Sequence, residues 1–454
     1  MATKPVEQVV PGQFYQDELT TDSRAVPDVL KLRAPYDDAT CTIPTYKYVS
    51  QDYYDREIEM VWKRTWQWAC RLEQIPEVGD TYIYDIVNQS ILIVRTAPDQ
   101  VKAYHNVCLH RGRRLRDFNG RTDELRCPYH GFCWKLDGSL KSIPARWDFP
   151  HIDGDSFGLK EVRVDTWAGF VFINMDADCA PLADALGVVP AHFERWDLEN
   201  RAIVADVTKV MRCNWKLAQE AFLDSFHVVA THPQLLGGLN GTTSQYDVFG
   251  DVSRTLSPVM GEKVPLVTRT LSEQEKFDAY SMQYLSDAPR IEVPDGQRAR
   301  TFAAERSRSF LRPVVGEAVD KYSDAEVLDS IWYTVFPNTS FWGGFGPKWQ
   351  YSWQPYDNRP DMSTMRIVII APFAGDRPSP AKPRLLGPDE EWIEATELGN
   401  MGRVEDQDVY NLEALQRGLE SGVLNEVTLS QYQESRVRHF HAMLDRYMGS
   451  EEAQ

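Results

Sequence analysis

Two short segments of this chain each carry one cysteine and one histidine. The first is Cys108-Leu-His110, and the second, after sixteen intervening residues, is Cys127-Pro-Tyr-His130. Two thiolates and two imidazoles suit a tetrahedral zinc ion. They suit equally a [2Fe–2S] cluster in which two histidines replace two cysteines on one of the irons. The spacing therefore predicts a metal site but does not choose between zinc and the cluster.

The residues around these ligands favour the cluster. The runs CLHRG (108–112) and CPYHGFCWKLDGSL (127–140) resemble the paired loops of Rieske proteins. Together with a second motif further along the chain, they resemble the Rieske non-haem iron oxygenase alpha subunits, the aromatic-ring-hydroxylating dioxygenase family. The resemblance implies a Rieske [2Fe–2S] cluster with four ligands, Cys108, His110, Cys127 and His130.

The second motif lies in the run NWKLAQEAFLDSFHVVATHP (214–233), with the spacing Glu220-x3-Asp224-x2-His227-x4-His232. An oxygen-activating ferrous centre needs two neutral imidazoles and one carboxylate on one face, which leaves positions open for oxygen and substrate. The spacing resembles the mononuclear-iron signature of the same family. It implies that His227 and His232 supply the imidazoles.

Helix geometry constrains this motif. Asp224 and His227 lie on one side of a helix because they are three residues apart, whereas His227 and His232 are five apart and diverge by about 140°. Pro233 disfavours the α region for the residue before it. We therefore expect a helix end or a π-type widening near 230–232 that brings the second imidazole round.

The third iron ligand is expected much further along the chain. The run VEDQDVYNLEALQRGL (404–419) resembles the family's third segment, an acidic cluster followed by a helix with Gln-x-Gly. Asp408, eight residues before Gln416, is the preferred ligand, and Asp406 is the alternative. Either aspartate could instead cap a helix that starts near Val409, where apolar residues recur at helical spacing.

The resemblance implies a catalytic role for Asp224 other than metal ligation. In this family the aspartate at this place links a cluster histidine of one subunit to an iron-binding histidine of its neighbour, because the two metals of one subunit are too far apart. Asp224 would then join His227 to His130, or to His110, of the partner subunit and give electrons a route. Such a route requires a ring of subunits, most simply three.

The source of electrons is expected to be another protein. The sequence has no G-x-G-x-x-G after a strand and no ferredoxin-type cysteine set. The resemblance implies an NAD(P)H-dependent reductase, with or without a ferredoxin, and it allows a small beta subunit in an α3 or α3β3 assembly. Arg114 and Arg116 follow the first cluster loop of an acidic chain, so they are a candidate docking patch for an acidic ferredoxin; a salt-bridged surface is the alternative.

Composition limits the other function classes. A length of 454 residues, 43% of them hydrophobic, is enough for two domains with substantial cores. The net charge of −18 argues against nucleic acid or an anionic membrane as a partner, since both attract a basic face. The amino terminus lacks the apolar core of a signal peptide, the most apolar run (367–374) has the length of a strand, and seven cysteines are scattered. These features predict a cytoplasmic protein.

The periodicity of the sequence predicts the domain organisation. A helical pattern covers 53–76, and short β-branched and aromatic runs between turn residues over 80–176 predict a small all-β domain with both cluster loops. Helices and strands then mix, which resembles the helix-grip, START-like catalytic domain of the family, an antiparallel sheet around a long helix. We therefore predict an α+β chain in three parts: an N-terminal segment that packs on the catalytic domain (1–57), a Rieske domain (58–178) and a catalytic domain (179–454).

The resemblance implies the terminal oxygenase component of a multicomponent Rieske oxygenase. Such an enzyme uses O2 and electrons from NAD(P)H to hydroxylate, cis-dihydroxylate or oxidatively demethylate an organic substrate. Ala221 and Phe226 stand where the family often has Asn and Tyr, which favours an aromatic or cyclic apolar substrate, as in aromatic hydrocarbon catabolism. Two alternatives stay open: a zinc-stapled protein that binds a hydrophobic ligand, and a Rieske electron carrier without oxygenase chemistry.

Overall fold

The computed structural model describes residues 12–262, 269–282, 285 and 289–449. Within these residues the helices are α1 (Gln13–Leu19), α2 (Asp28–Lys31), α3 (Tyr46–Val49), α4 (Gln51–Glu57), α5 (Leu182–Leu186), α6 (Val189–Phe193), α7 (Trp215–Glu220), α8 (Val228–Thr231), α9 (Glu273–Ser281), α10 (Ala299–Val315), α11 (Asp324–Leu328), α12 (Met401–Glu420) and α13 (Ser435–Met448). A π-helical turn, Ile58–Trp62, continues α4.

The strands are β1 (Thr42–Pro44), β2 (Gln67–Arg71), β3 (Asp80–Ile86), β4 (Gln89–Ala97), β5 (Gln100–His105), β6 (Gly120–Arg121), β7 (Leu125–Arg126), β8 (Cys133–Trp134), β9 (Leu140–Ser142), β10 (Glu161–Trp167), β11 (Phe170–Asn174), β12 (Arg201–Met211), β13 (Gln245–Phe249), β14 (Val252–Ser257), β15 (Ser330–Val335), β16 (Thr339–Trp342), β17 (Lys348–Tyr356), β18 (Arg359–Pro372), β19 (Arg384–Leu386) and β20 (Glu426–Thr428). Strands β1 and β20 pair with each other.

Two antiparallel sheets in the first half of the chain support the cluster loops. The larger sheet has the strand order β2-β11-β10-β5-β4-β3-β6, and the smaller has the order β7-β8-β9. The first cluster loop follows β5, and the second connects β7 to β8. Cys108 and Cys127 belong to the same buried apolar cluster as Tyr104, Leu125 and Trp134, so both loops are anchored in the core of this unit.

An eight-stranded sheet forms the second half, in the order β13-β14-β15-β16-β17-β18-β12-β19. Neighbouring strands are antiparallel except for the parallel pair of β12 and β19. Helix α7 packs on β17 and β18, α13 packs on β13 and β14, and α12 lies against α7. Trp353, Ile367 and Trp215 share one buried cluster between sheet and helices. The predicted α+β class is confirmed: an all-β unit carries both cluster loops, and an antiparallel sheet packs on helices in the second half.

The sequence pattern predicted most strands of the first unit correctly, but it missed β2. Strands β3, β4, β5, β10 and β11 occur where alternating runs indicated them, and only two residues of the β8 run are paired. The helix expected over 53–76 ends at Trp62, and all five residues of β2 are buried against β11. Pairing with a central strand outweighs the local helical pattern there.

Two expectations concern membranes and export. No helix among the described residues is long and apolar enough to cross a bilayer. The apolar run at 367–374 falls mostly in strand β18, as expected from its length. Residues 1–11, on which the expectation about a signal peptide depends, lie outside the described part of the chain.

A buried ion pair joins the N-terminal segment to the iron motif. Nζ of Lys216 on α7 lies 2.7 and 2.8 Å from the two carboxylate oxygens of Glu57 at the end of α4, and neither side chain is exposed. Nε1 of Trp215 also donates to Glu57. Burial raises the pKa of Glu57 and lowers the pKa of Lys216, while the opposite charge of each partner counters the shift. The pair fixes the start of α7 against α4.

We expect Lys216→Met to lower the free energy of unfolding by about 3 kcal/mol, because it leaves Glu57 buried without its cation. The double variant Lys216→Met, Glu57→Leu removes both charges and should recover most of that loss. Urea denaturation followed by tryptophan fluorescence measures both variants. A single variant as stable as the parent protein would contradict this account of the pair.

Candidate metal centres

The two predicted cluster loops have the same backbone hydrogen bonds. The N–H of Cys108 and that of Cys127 each donate to the carbonyl five residues on, at 2.8 Å in both loops. The glycine four residues after each cysteine donates back to the cysteine carbonyl at 3.0 Å. These glycines, Gly112 and Gly131, have φ values of 77° and 76°, which only glycine adopts without strain. The loops are therefore near-copies of each other.

The side chains of these loops suit a [2Fe–2S] cluster. Cys108 and Cys127 are buried free thiols, and the imidazole rings of His110 and His130 have centroids 4.7 Å apart. Nδ1 of His110 is buried and has no hydrogen-bond partner among the described residues. The ring of Phe132 stacks on the imidazole of His110, with ring centroids 4.6 Å apart. Burial is the main reason that the pKa of the Cys108 thiol is raised, and a metal removes the proton from such a thiol.

His227, His232 and Asp408 come together in the second half of the chain. Each offers one ligand atom, and these atoms all lie within 4.8 Å of one another. Nε2 of His232 is 3.0 Å, and Nε2 of His227 is 3.7 Å, from Oδ1 of Asp408. Both imidazoles thus direct the same ring nitrogen to one carboxylate, as a site with two histidines and one carboxylate requires. The donor set fits a ferrous ion.

Helix α12 carries both aspartates that the sequence offered as third ligand. It begins about two turns before Val409, so neither aspartate caps its amino terminus. Asp406 accepts hydrogen bonds from the N–H groups of Trp392 and Ile393 at 2.7 and 3.1 Å, and so it caps a neighbouring 3₁₀ turn. Asp408 is the aspartate that the structure brings to the two histidines.

The iron motif is not one continuous helix. Helix α7 ends at Glu220, turns follow, and α8 begins at Val228, so the expectation of a helix running through Asp224 is wrong. Oδ1 of Asp224 accepts the backbone N–H of His227 at 2.9 Å, a local bond that competes with helix continuation. His232 has φ −125° and ψ 54°. The helix end expected before the proline is therefore confirmed.

The outer nitrogen of each imidazole has its own partner. Nδ1 of His227 lies 3.1 Å from Oδ1 of Asp224, and Nδ1 of His232 lies 2.9 Å from Oε1 of Gln407. Nε2 of Gln234 donates to the same Gln407 oxygen at 2.7 Å. Because that oxygen is an acceptor, Nδ1 of His232 carries the proton and leaves Nε2 free for a metal. The role of Gln407 was not predicted from the sequence, where its only visible signal is its place between the two aspartates.

Glu220, the first acid of the motif, is engaged elsewhere. It accepts a hydrogen bond from the hydroxyl of Tyr48 at 3.0 Å and lies 2.7 Å from Nε2 of His441. Burial raises the pKa of Glu220 to about 8. These contacts connect α7 to α3 and α13. This partner of His441 could not be predicted from sequence, because Glu220 lies 221 residues away along the chain.

A cavity of about 110 Å³ opens beside the three converging residues. Its apolar lining includes Phe222, Leu235, Leu239, Trp332, Trp342 and Tyr351. The indoles of Trp332 and Trp342 stack, with ring centroids 5.1 Å apart. The polar wall includes Asn240, Ser257 and Glu405. A small organic molecule in this cavity would lie against His227 and Asp408.

Glu405 is a buried acid in the wall of this cavity. Its side chain belongs to α12, one turn before Asp408, and the residue is 3% exposed. Oε1 accepts a hydrogen bond from the hydroxyl of Tyr351 at 3.2 Å, whereas Oε2 is buried with no partner among the described residues. Burial, followed by the charge of Asp408, raises the pKa of Glu405 well above its ordinary value.

The two arginines of the candidate docking patch differ in their surroundings. Arg114 is partly exposed and forms an ion pair with Asp85 as well as a hydrogen bond to Ser90. The carbonyl of Arg116 accepts a hydrogen bond from Asn106 at 2.8 Å. The Nε atoms of both arginines are buried with no hydrogen-bond partner in the part of the chain that the structure describes.

Comparisons with known proteins identify both halves of the chain. Residues 65–153 match the Rieske [2Fe-2S] domain, and residues 191–450 match the catalytic domain of ring-hydroxylating alpha subunits. The first match decides against the zinc site that the spacing alone left open. The chain is similar to the glycine betaine monooxygenase oxygenase subunit of Pseudomonas aeruginosa (strain UCBPP-PA14), with 31% identity over 223 residues, 48% of this chain and 50% of the relative.

It is also similar to the biphenyl 2,3-dioxygenase subunit alpha of Rhodococcus jostii (strain RHA1), with 29% identity over 218 residues, 47% of each chain. The chain thus spans about half the length of the curated relatives it matches. The crystal structure of the quaternary ammonium Rieske monooxygenase CntA with an inhibitor has the same fold, with a TM-score of 0.66 and 18% identity over 90% of this chain and 96% of that one. With a Rieske [2Fe–2S] domain followed by the catalytic domain that binds mononuclear iron, the chain belongs to the ring-hydroxylating alpha subunits of Rieske oxygenases.

Proposed function

We propose that this protein is the terminal component of a Rieske oxygenase that hydroxylates or oxidatively demethylates a small organic substrate with O2. The observation that carries the proposal is the convergence of His227, His232 and Asp408 beside a cavity. An electron carrier without oxygenase chemistry would need neither this second centre nor the cavity. We assign the mononuclear iron to these three residues and the cluster to Cys108, His110, Cys127 and His130.

When bound, the ferrous ion supplies the activation of O2. The protein contributes orientation: Asp224 and Gln407 hold the outer nitrogens of His227 and His232, so both Nε2 atoms keep their direction. The apolar cavity wall excludes water and positions the substrate carbon beside the metal.

Electrons are proposed to come from an NAD(P)H-dependent reductase, with or without a ferredoxin, and to enter at the cluster. Asp224 would then carry them to His227 from His130, or from His110, of the partner subunit. An α3 or α3β3 assembly, with or without a beta subunit, and a cytoplasmic location are part of this proposal. Arg114 and Arg116 are proposed as the docking patch, with Arg116 the stronger candidate because Asp85 already neutralises Arg114.

We propose the division into an N-terminal segment (1–57), a Rieske domain (58–178) and a catalytic domain (179–454). Two hydrogen bonds support the packing of the first segment on the third. The hydroxyl of Ser23 donates to Asp324 at 2.7 Å, and the amide of Gln16 donates to Gln245 at 2.8 Å.

Two substrate classes suit the cavity. An aromatic or cyclic apolar compound suits its aromatic lining, and the biphenyl dioxygenase relative supports this class. A methylated ammonium compound is the second candidate, because aromatic faces also attract cations. The glycine betaine monooxygenase relative supports this second class.

The metal assignment predicts about three irons and two acid-labile sulfides per chain, with a red-brown colour that bleaches on reduction by dithionite. His232→Ala should lose about one iron per chain and keep the sulfide and the colour, because it removes only a mononuclear ligand. Iron and sulfide analysis of anaerobically purified protein measures both. Two irons in the parent protein would instead indicate an electron carrier.

Asp224→Ala should leave both metals bound and slow the reoxidation of the reduced cluster by about a hundredfold, because the electron route between subunits is lost. Stopped-flow absorption of the cluster measures this step, with iron content determined on the same sample. The conservative variant Asp224→Asn keeps the size of the side chain without its charge and serves as the control for packing. Reoxidation of the alanine variant at the parent rate would refute the role.

Arg116→Glu should lower the rate of cluster reduction by an acidic plant-type ferredoxin by about tenfold at low salt and weaken the dependence of that rate on ionic strength. Arg312→Glu makes the same charge change on α10 and serves as the matched control. If ferredoxin reduces the clusters of the two variants at equal rates, Arg116 has no part in docking.

A further inference from the structure

Among the described residues, Glu405 is the one acid of the cavity lining that the proposed metal chemistry does not use. Asp224 is paired with His227, and Asp408 faces the metal position. Glu405 lies in the same wall, one turn away on α12, and is almost fully buried. A buried carboxylate of this kind is costly unless a proton, a hydrogen-bond network or a cation compensates it.

The described surroundings of Glu405 offer little compensation. The charges that act on it most are those of Asp408 and Asp406, both negative, and its one hydrogen-bond donor is the hydroxyl of Tyr351. A ferrous ion held by Asp408 and two neutral imidazoles would keep one net positive charge, but the described residues pair no cation directly with Glu405. Oε2 has no hydrogen bond among the described residues. The carboxylate therefore lacks a partner, and a bound molecule can supply it.

Aromatic side chains line the cavity together with Glu405. The ring of Tyr351, which binds Oε1, is 6.2 Å from the ring of Trp342 and tilted to it by 45°. Both residues line the cavity together with Glu405. Aromatic rings beside a carboxylate suit an alkylated ammonium group, which the rings attract although they cannot hold it by hydrogen bonds.

We propose that Glu405, with Trp342 and Tyr351, forms a recognition site for a cationic nitrogen of the substrate. This inference rests on the proposed function and selects the ammonium class over the apolar class. The Glu405 carboxylate is the counter-ion of the bound nitrogen, and the two rings contact its alkyl groups. The carbon to be oxidised is then held beside His227 and Asp408.

Choline and 3,3-dimethylbutan-1-ol test the proposal, because they have the same shape and differ in one nitrogen that carries the charge. Their binding to the iron-loaded protein is measured by anaerobic isothermal titration calorimetry, without reductase. We expect choline to bind at least about tenfold more tightly than the neutral alcohol. Glu405→Gln, which keeps size and hydrogen bonding, should abolish this preference, while Glu413→Gln on the same helix should retain it.

Three results would overturn the proposal: equal affinities in the parent protein, no binding of choline, or a preference that survives Glu405→Gln. If Glu405→Gln weakens the binding of choline and of the neutral alcohol by the same factor, the preference for choline is unchanged, and this outcome counts as the third result. Iron, sulfide and the visible spectrum are determined on every sample. Failure of the proposed function would appear there as a missing centre, whereas failure of this inference would appear as wrong selectivity in a protein with both centres.

Discussion

The contact between the iron motif and helix α12 is the constraint on which the rest of the catalytic half depends. His232 and Asp408 are 176 residues apart in sequence, and their ligand atoms can meet only if α12 lies along the motif. Two amides hold it there. Gln416 accepts the N–H of Asn214 at 2.9 Å, at the start of α7, and Gln407 binds His232 at the other end of the motif. The helix-grip sheet provides the surface on which both elements pack.

The acids around this contact are compensated in different ways, which separates their roles. Asp406 binds backbone N–H groups and caps a turn, and Glu220 binds Tyr48 and His441. Asp224 binds an imidazole. Asp408 faces two imidazole nitrogens, with which it could hold a metal ion, and Glu405 faces no cation in the described chain. Asp406 and Glu220 thus have their partners within the protein, whereas Glu405, at the cavity, keeps one carboxylate oxygen without a partner in the described chain.

The sequence predicted what depends on local pattern. The metal-ligand types and spacings, the alternation of β3 and β4, and the helix end before Pro233 all follow from neighbouring residues. Strand β2 escaped prediction because it is buried on both faces and does not alternate. Gln407 and His441 also escaped, because their partners come from distant segments that only the fold brings close. The break of the helix at Asp224 could not be predicted, because it depends on the hydrogen bond that the Asp224 side chain accepts from the backbone of His227.

One oxygen of Asp224 accepts from both the backbone and the ring of His227. The position of the main chain and the rotation of the imidazole are therefore set by the same atom. A displacement of this carboxylate, such as contact with a second subunit would produce, moves the metal-facing nitrogen without an intervening flexible joint. In the proposed oligomer, subunit assembly and the coordination geometry of the iron would in this way be mechanically coupled, so a loosened quaternary structure would distort the metal site before it released the metal.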